Sequence, residues 1–275
     1  MSTLYLKAEP GNIAPYVLFS GDPFRVEVLK DYLDNPVHVA FSREYNTYTG
    51  FYKGVKVTVT STGIGAPGAA IAMEEMYEAG MEAAVRMGTA MSLDPALLGH
   101  FIIPIAAMRE EGVTKTYVED SYPAVSDMML VRHMNEAVLS MGGFYENGIN
   151  CTMDGFYSQM HESRFSRESG RDIHGVFDRL RRLKVSGVDM ESACILTLGR
   201  LMGVRSCIVT VATVSEQGKL HLEEKERRQV EDLLCRVALE GIYRFHMDCD
   251  QQQSKEDSMA VSAGTQEKGE KNEQG

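Results

Sequence analysis

The sequence lacks paired cysteines. Its five, Cys151, Cys194, Cys207, Cys235 and Cys249, form no C-x-x-C pair, and no histidine cluster at zinc spacing accompanies them. That excludes a zinc ribbon and a disulfide framework, and predicts reduced thiols. No apolar stretch approaches the ~18–20 residues of a membrane span, so no membrane partner is expected. Met1 to Lys7 hold no basic segment followed by an apolar run of signal length, and a cytoplasmic location is expected. Cations are in the minority: 28 Lys and Arg face 39 Asp and Glu, for a formal net charge of −11. Nucleic-acid binding needs clustered cations, so no nucleic-acid partner is expected. Small anionic ligands stay open, because one or two local arginines decide them. A G-x-S-x-G elbow, a Walker A loop and an H-E-x-x-H helix are also absent.

What is present is ordinary globular material: 275 residues, 44% hydrophobic and 24% charged. Short β-rich runs at Tyr16–Ser20, Val37–Phe41, Tyr45–Tyr52, Val55–Ser61, Ala83–Met87, Phe101–Ala107, Asn147–Met153 and Ser206–Val214 predict strands. Helical patterns lie at Phe24–Leu33, Ala69–Glu78, Met128–Met141, Phe177–Arg182, Ser192–Met202 and Leu222–Phe245. This alternation predicts one α/β domain, residues 1–249, with helices on both faces of a mixed, twisted sheet. From Asp250 to Gly275 large apolar residues nearly vanish, which predicts a disordered polar tail.

Four segments stand at strand ends, where open α/β sheets place their clefts. Gly63-Ile64-Gly65-Ala66-Pro67-Gly68 fits G-x-G-x-x-G, but the next strand carries Arg86 where a dinucleotide site needs an acid. A glycine turn lining some other pocket is favoured over that reading. Gly21-Asp22-Pro23-Phe24-Arg25 follows a buried strand, and the helix start presents N–H groups to an anion. Arg25 is either a ligand there or a solvated surface arginine. Arg86 closes the apolar run Ala83-Ala84-Val85, and with Thr89 it could grip phosphate oxygens through a planar fork and a hydroxyl. Glu191 opens an otherwise apolar helix. It either caps that helix or accepts from a ligand hydroxyl, with Met190 packed on the ligand's apolar face.

In this order, GDPFRVE (21–27), SREYNTYTG (42–50), STGIGAPGAAIAMEE (61–75), RMGT (86–89), FY (156–157) and VDMESA (188–193) resemble the nucleoside phosphorylase family. The resemblance spans roughly residues 5–245. It implies a single α/β domain with a partly barrel-like mixed sheet. It also implies phosphorolysis of an N-glycosidic bond, in which nucleoside and inorganic phosphate give free base and ribose 1-phosphate. Phosphate is then a co-substrate, and no cofactor is needed. On the family pattern Gly21, Arg25, Arg86 and Thr89 hold phosphate, while Arg43 reaches in from a neighbouring subunit. Met190 and Glu191 lie against the ribose hydroxyls, and Phe156 packs on sugar or base. Tyr5 stands where a neighbour supplies a histidine to the 5′-hydroxyl. A homodimer, or a hexamer built as a trimer of dimers, follows.

The 34 positions from Phe156 to Met190 resemble the uridine-cleaving members, so uridine is the expected nucleoside. Gln159 is the candidate base-reading glutamine. His161 replaces the arginine expected two positions later, with Arg164 beyond it. Purine-cleaving members place an acid after the last buried strand to protonate the leaving base, and Glu216 occupies that position here. Met91 stands where the family commonly has glycine, which predicts a narrower pocket. The serine used by some members for an interface potassium is here Gly68, and no metal is expected. The alternatives are a purine nucleoside phosphorylase, a related nucleosidase, or a non-catalytic nucleoside-binding relative. Retention of Arg25, Arg43 and Arg86 favours phosphorolysis over hydrolysis.

Overall fold

Val17, Leu18 and Phe19 are fully buried, and they point alternately to two hydrophobic layers. A strand buried on both faces is the signature of a sheet covered by helices on each side. The protein, seen here in a computed structural model, is described over residues 2–215 and 219–270, with side chains described through Gln252.

Five strands and two helices occupy the first third. They are β1 (Tyr16–Ser20), α1 (Pro23–Lys30), β2 (Asp34–Ser42), β3 (Tyr45–Tyr52), β4 (Val55–Ser61), α2 (Ala66–Glu78) and β5 (Ala83–Ser92). Next come β6 (Phe101–Ile102), β7 (Ala106–Glu110), β8 (Ala124–Val125), α3 (Met128–Ser140), β9 (Tyr145–Glu146) and β10 (Ile149–Met153). The last part holds α4 (Arg164–Glu168), α5 (Ile173–Arg182), β11 (Val185–Asp189), α6 (Ser192–Met202), β12 (Arg205–Ser215), β13 (Leu220–His221) and α7 (Glu224–Glu270).

The strands form one mixed sheet in the order β2-β3-β4-β1-β5-β11-β10-β7-β8, with β12, β13, β6 and β9 branching from it. β5 is the hub. It runs parallel to β1 and β12, and its far end, Met91 and Ser92, turns antiparallel against β11. One layer packs Leu18, Val57, Val85 and Val209 beneath Val26 of α1, Met134 of α3 and Ala238 of α7. The other packs Val17, Phe19, Ala84 and Ile208 beneath Met73 of α2 and Leu196 of α6. Each buried aliphatic side chain of this kind contributes about 1.5–3 kcal/mol.

Several bounds differ from the sequence reading, β5 running on to Ser92 among them, and β11 is not among the expected strands; two differences have a plain physical reason. The run Phe101–Ala107 is not one strand. Pro104 cannot donate to a ladder, and the chain divides there into β6, paired with β12 and β9, and β7, paired with β10 and β8. The terminal helix extends to Glu270, past the boundary that composition places at Asp250. Gln, Glu, Lys, Met and Ala favour helix by propensity. Among the described residues no helix is long and apolar enough to cross a membrane. All five cysteines are free, and burial pushes the Cys151 and Cys235 thiols up to about 12.

Candidate active site

The carboxyl ends of β1, β4, β10, β11 and β12 open onto one cavity of about 1210 Å³, and β5 crosses its floor. Its lining includes Gly21 and Arg25 after β1, Arg86 and Thr89 on β5, Phe156 after β10, and Met190 and Glu191 after β11. Five of the six short motifs thus converge, because the parallel strands β1, β4 and β12 and the pair β10–β11, which meets the far end of β5 antiparallel, bring their carboxyl ends to one cavity.

Arg86 and Glu191 are both buried, and an Arg86 Nη2–H donates to Glu191 Oε2. The other Glu191 oxygen accepts from the backbone N–H of Gly65 at 2.6 Å. Glu191 stands at the N-cap of α6, yet its side chain makes no capping bond. Asp189 takes that task, accepting from the Ser192 N–H at 3.3 Å and the Thr152 hydroxyl at 2.9 Å. The carboxylate of Glu191 is thereby turned toward the cavity. Burial works against the Arg86 charge, but Glu191 and Asp189 outweigh it and hold the guanidinium above its ordinary value. Arg86 Nη1 lies 3.7 Å from Asp189 Oδ2 and has no hydrogen-bond partner. A buried guanidinium N–H left over in a cleft is a donor waiting for an acceptor.

The two glycine turns follow from the same geometry. Gly88 lies directly under the guanidinium, where a Cβ would come within 2.6 Å of Arg86 Nη1. Gly65 sits at φ 99°, a region that side chains avoid, and opens α2 with its N–H pointed at Glu191. That N–H is committed to a carboxylate and not offered to a pyrophosphate. The glycine turn therefore lines a pocket of another kind, as Gly63 and Ile64 in the lining indicate.

Arg25 is no surface arginine. Its side chain is 11% exposed, with Nη1 donating to Ser20 Oγ at 3.4 Å and Nη2 lying 3.6 Å from Glu231 Oε1. Asp22 caps α1 by accepting from the Phe24 N–H at 2.9 Å, and Pro23 occupies the first helical turn.

At the other end, Phe156–Met160 forms a single π-helical turn, a device often found at functional sites. Phe156 meets Tyr157 edge-on at 5.0 Å and stacks on His161 at 5.7 Å. Tyr157, Met160 and His161 join the lining, and so does Met91. Gln159 does not: its Oε1 accepts from the Gly155 N–H at 2.9 Å and closes its own turn. Arg164 does not either. It opens α4 with its side chain 88% exposed and pairs with Glu168 one turn on. The two candidate base readers are thus drawn off by local partners, and His161 faces the cavity in their place.

Tyr5 and Arg43 also lie outside this lining. Arg43 sits in the tight β2–β3 turn at φ 56°, exposed, with its guanidinium 5.2 Å from the Tyr5 ring centre. Glu216 lies outside the described residues. Sequence reading missed His221 and Arg227, which enter the lining from β13 and the first turns of α7. Nothing in HLEEKERR (221–228) marks them, because charged residues at a helix start are usually solvated.

A cleft at strand ends of an α/β sheet that gathers Arg86, Arg25, the carboxylate of Glu191 and the rings of Phe156, Tyr157 and His161 is the layout of an enzyme pocket for a polar, ring-bearing substrate. The chain belongs to the phosphorylase superfamily, whose family model matches residues 15–240. It is 38% identical over 209 residues to a uridine phosphorylase of Thermococcus kodakarensis, covering 75% of this chain and 76% of the relative. It is 30% identical over 203 residues to a guanosine phosphorylase of Halorubrum lacusprofundi, covering 74% and 79%. Among solved structures, a uridine phosphorylase of Vibrio fischeri superposes with a TM-score of 0.76 at 27% identity, over 87% of this chain and 96% of that one.

Proposed function

We propose that this enzyme cleaves the N-glycosidic bond of a nucleoside, with uridine the preferred substrate, by transferring the ribosyl group to inorganic phosphate. The observation that carries the reading is the buried Arg86 N–H without a partner, set beside Glu191 and within the same cavity as Arg25 and Thr89.

A phosphate oxygen attacks C1′ and the C1′–N bond breaks, its electron pair leaving with the base. The sugar passes through an oxocarbenium-like state. Arg25, Arg86, Thr89 and the Gly21 backbone hold the dianion under that carbon, a contribution of position and of fixed charge. Glu191 accepts from the 2′- and 3′-hydroxyls and sets negative charge near the developing cation, while Met190 packs on the ribose. Phe156, Tyr157 and His161 receive the base. No covalent enzyme intermediate and no cofactor enter these steps.

The placement of Arg43 and Tyr5 supports an oligomer. The two side chains lie together, away from their own cavity, where a neighbouring subunit could receive them. A cytoplasmic role in pyrimidine nucleoside salvage is consistent with five free cysteines. A guanosine-cleaving relative favours a second reading, purine preference, with Glu216 as the acid that protonates the leaving base.

The test is a panel of uridine, thymidine, inosine and guanosine, with and without phosphate, followed by release of base. Uridine cleavage that requires phosphate supports the first reading. Faster inosine or guanosine cleavage supports the second, and no base release from any of them overturns both.

A further inference from the structure

The rim beside Arg25 holds two residues that the phosphorolysis reading does not use. Glu231 of α7 lies 3.6 Å from Arg25 Nη2 through its Oε1, and that same oxygen accepts from Arg227 Nε at 2.9 Å. Arg25 and Arg227 both line the cavity, so a single carboxylate oxygen sits between two cavity arginines. Its grip on them is unequal. The bond to Arg227 is of ordinary hydrogen-bond length, whereas the approach to Arg25 is a loose ion pair.

The helix that carries Glu231 is fixed in place. The next residue, Asp232, accepts from the Tyr32 hydroxyl just beyond α1 and pairs with Arg236 at 3.3 Å. Leu234 and Cys235 are buried in the core beneath. The backbone of Glu231 is therefore held beside Arg25, and its carboxylate within reach of both arginines. A phosphate dianion binding Arg25 meets a carboxylate that already neutralises part of that charge and repels the dianion at close range.

We propose that Glu231 is an internal competitor for phosphate at Arg25, and that Arg227 sets the strength of that competition by drawing the carboxylate off. The pair would tune phosphate affinity without touching the nucleoside end. Neither residue is catalytic in this scheme. Glu231 acts on Arg25, and Arg227 acts through Glu231. The inference rests on Arg25 being a phosphate ligand.

The experiment is titration of inorganic phosphate into the full-length protein by calorimetry, without nucleoside, with thermal melts to confirm folding. Glu231→Gln keeps the shape and removes the charge, and should bind phosphate roughly threefold to fivefold more tightly. Arg227→Gln should bind it more weakly by a similar factor. The double variant decides the order of action. If Arg227 works through Glu231, the double variant binds as tightly as Glu231→Gln. In turnover assays these changes should appear in KM for phosphate and leave KM for the nucleoside unmoved.

Phosphate affinity of Glu231→Gln equal to or below wild type overturns the proposal, as does a double variant as weak as Arg227→Gln. Failure of the wild-type protein to bind phosphate at all is a different result, and it would remove the phosphorolysis reading itself.

Discussion

Arg86 donates to Glu191 across the floor of the cleft, and each is the other's buried counter-ion. The residue read as a phosphate ligand and the residue read as a ribose ligand therefore form one unit. Removing Arg86 leaves the buried carboxylates of Glu191 and Asp189 without their cation, a loss that typically destabilises by about 3–5 kcal/mol. Arg86→Ala should lose phosphate-dependent turnover by about 10²-fold or more and also lower unfolding free energy by roughly 3 kcal/mol. Arg86→Lys should recover part of that stability but little of the activity, since an ammonium lacks the planar fork. Steady-state kinetics paired with denaturant titration checks both. Near-wild-type turnover in Arg86→Ala would count against its assigned role.

Gly88 offers a cleaner probe, because it carries no chemistry of its own. An added Cβ would come within 2.6 Å of Arg86 Nη1 and 3.1 Å of Cζ, so the guanidinium must move. Gly88→Ala should raise KM for phosphate and lower kcat by up to about 10²-fold together, the penalty of misplacing a positioned group. Unchanged kinetics would mean that the observed Arg86 position does not matter for turnover.

At the base end, the assignments follow which side chains reach the cavity. Arg164→Ala should leave nucleoside KM within about twofold of wild type, as expected for an exposed residue paired one turn away. His161→Ala should raise it by roughly tenfold through lost stacking and hydrogen bonding. Michaelis constants for uridine and inosine measure both.

Arg43 lends itself to complementation. Co-expressing an Arg43→Ala subunit with an Arg86→Ala subunit, and isolating the mixed dimer by two tags, should restore one working site. Neither homodimer should be active. A mixed dimer as dead as its parents would refute donation of Arg43 across an interface.

Glu240 supplies a pH prediction remote from the cleft. Burial pushes its carboxyl up, but a Lys53 hydrogen bond at 2.6 Å and Arg244 at 2.9 Å outweigh that and hold it below the ordinary value of 4.5. A folded-state pKa below the unfolded one contributes stability above the unfolded value, lost as pH falls through the folded one. Glu240→Gln should be less stable than wild type by about 1–2 kcal/mol at neutral pH, with the gap narrowing as pH drops below 4.5. A gap that persists undiminished in acid would show that charge is not its source.

The part of the cavity lining legible in the sequence was the part built on strands. Gly21, Arg25, Arg86, Thr89, Met190 and Glu191 stand at or beside strand ends, and a short buried run followed by glycine or charge is visible in sequence. Gln159 and Arg164 stay outside the lining because partners within a few residues, Gly155 and Glu168, hold them. A motif match does not reveal such local capture. Arg227 escaped notice for the opposite reason, since it reaches the cavity only through the packing of a distant helix on α1. In the fold, β1, β3, β4 and α6 fell on their expected bounds, whereas Pro104 divided a run whose apolar character alone suggested continuity.

β5 has a consequence beyond holding the sheet together. Arg86, Gly88 and Thr89 sit on a strand laced on one side to β1 and on the other to β12, so the arginine end of the cleft is held by ladders on both sides. The aromatic end hangs on a single π-helical turn whose bonds are mostly internal. The arginine end and the aromatic end are thereby built on parts of different construction. A few residues of turn can be rebuilt at the aromatic end without re-registering a strand. Relatives named for uridine and for guanosine on the same superfamily scaffold are what that division of labour would leave behind.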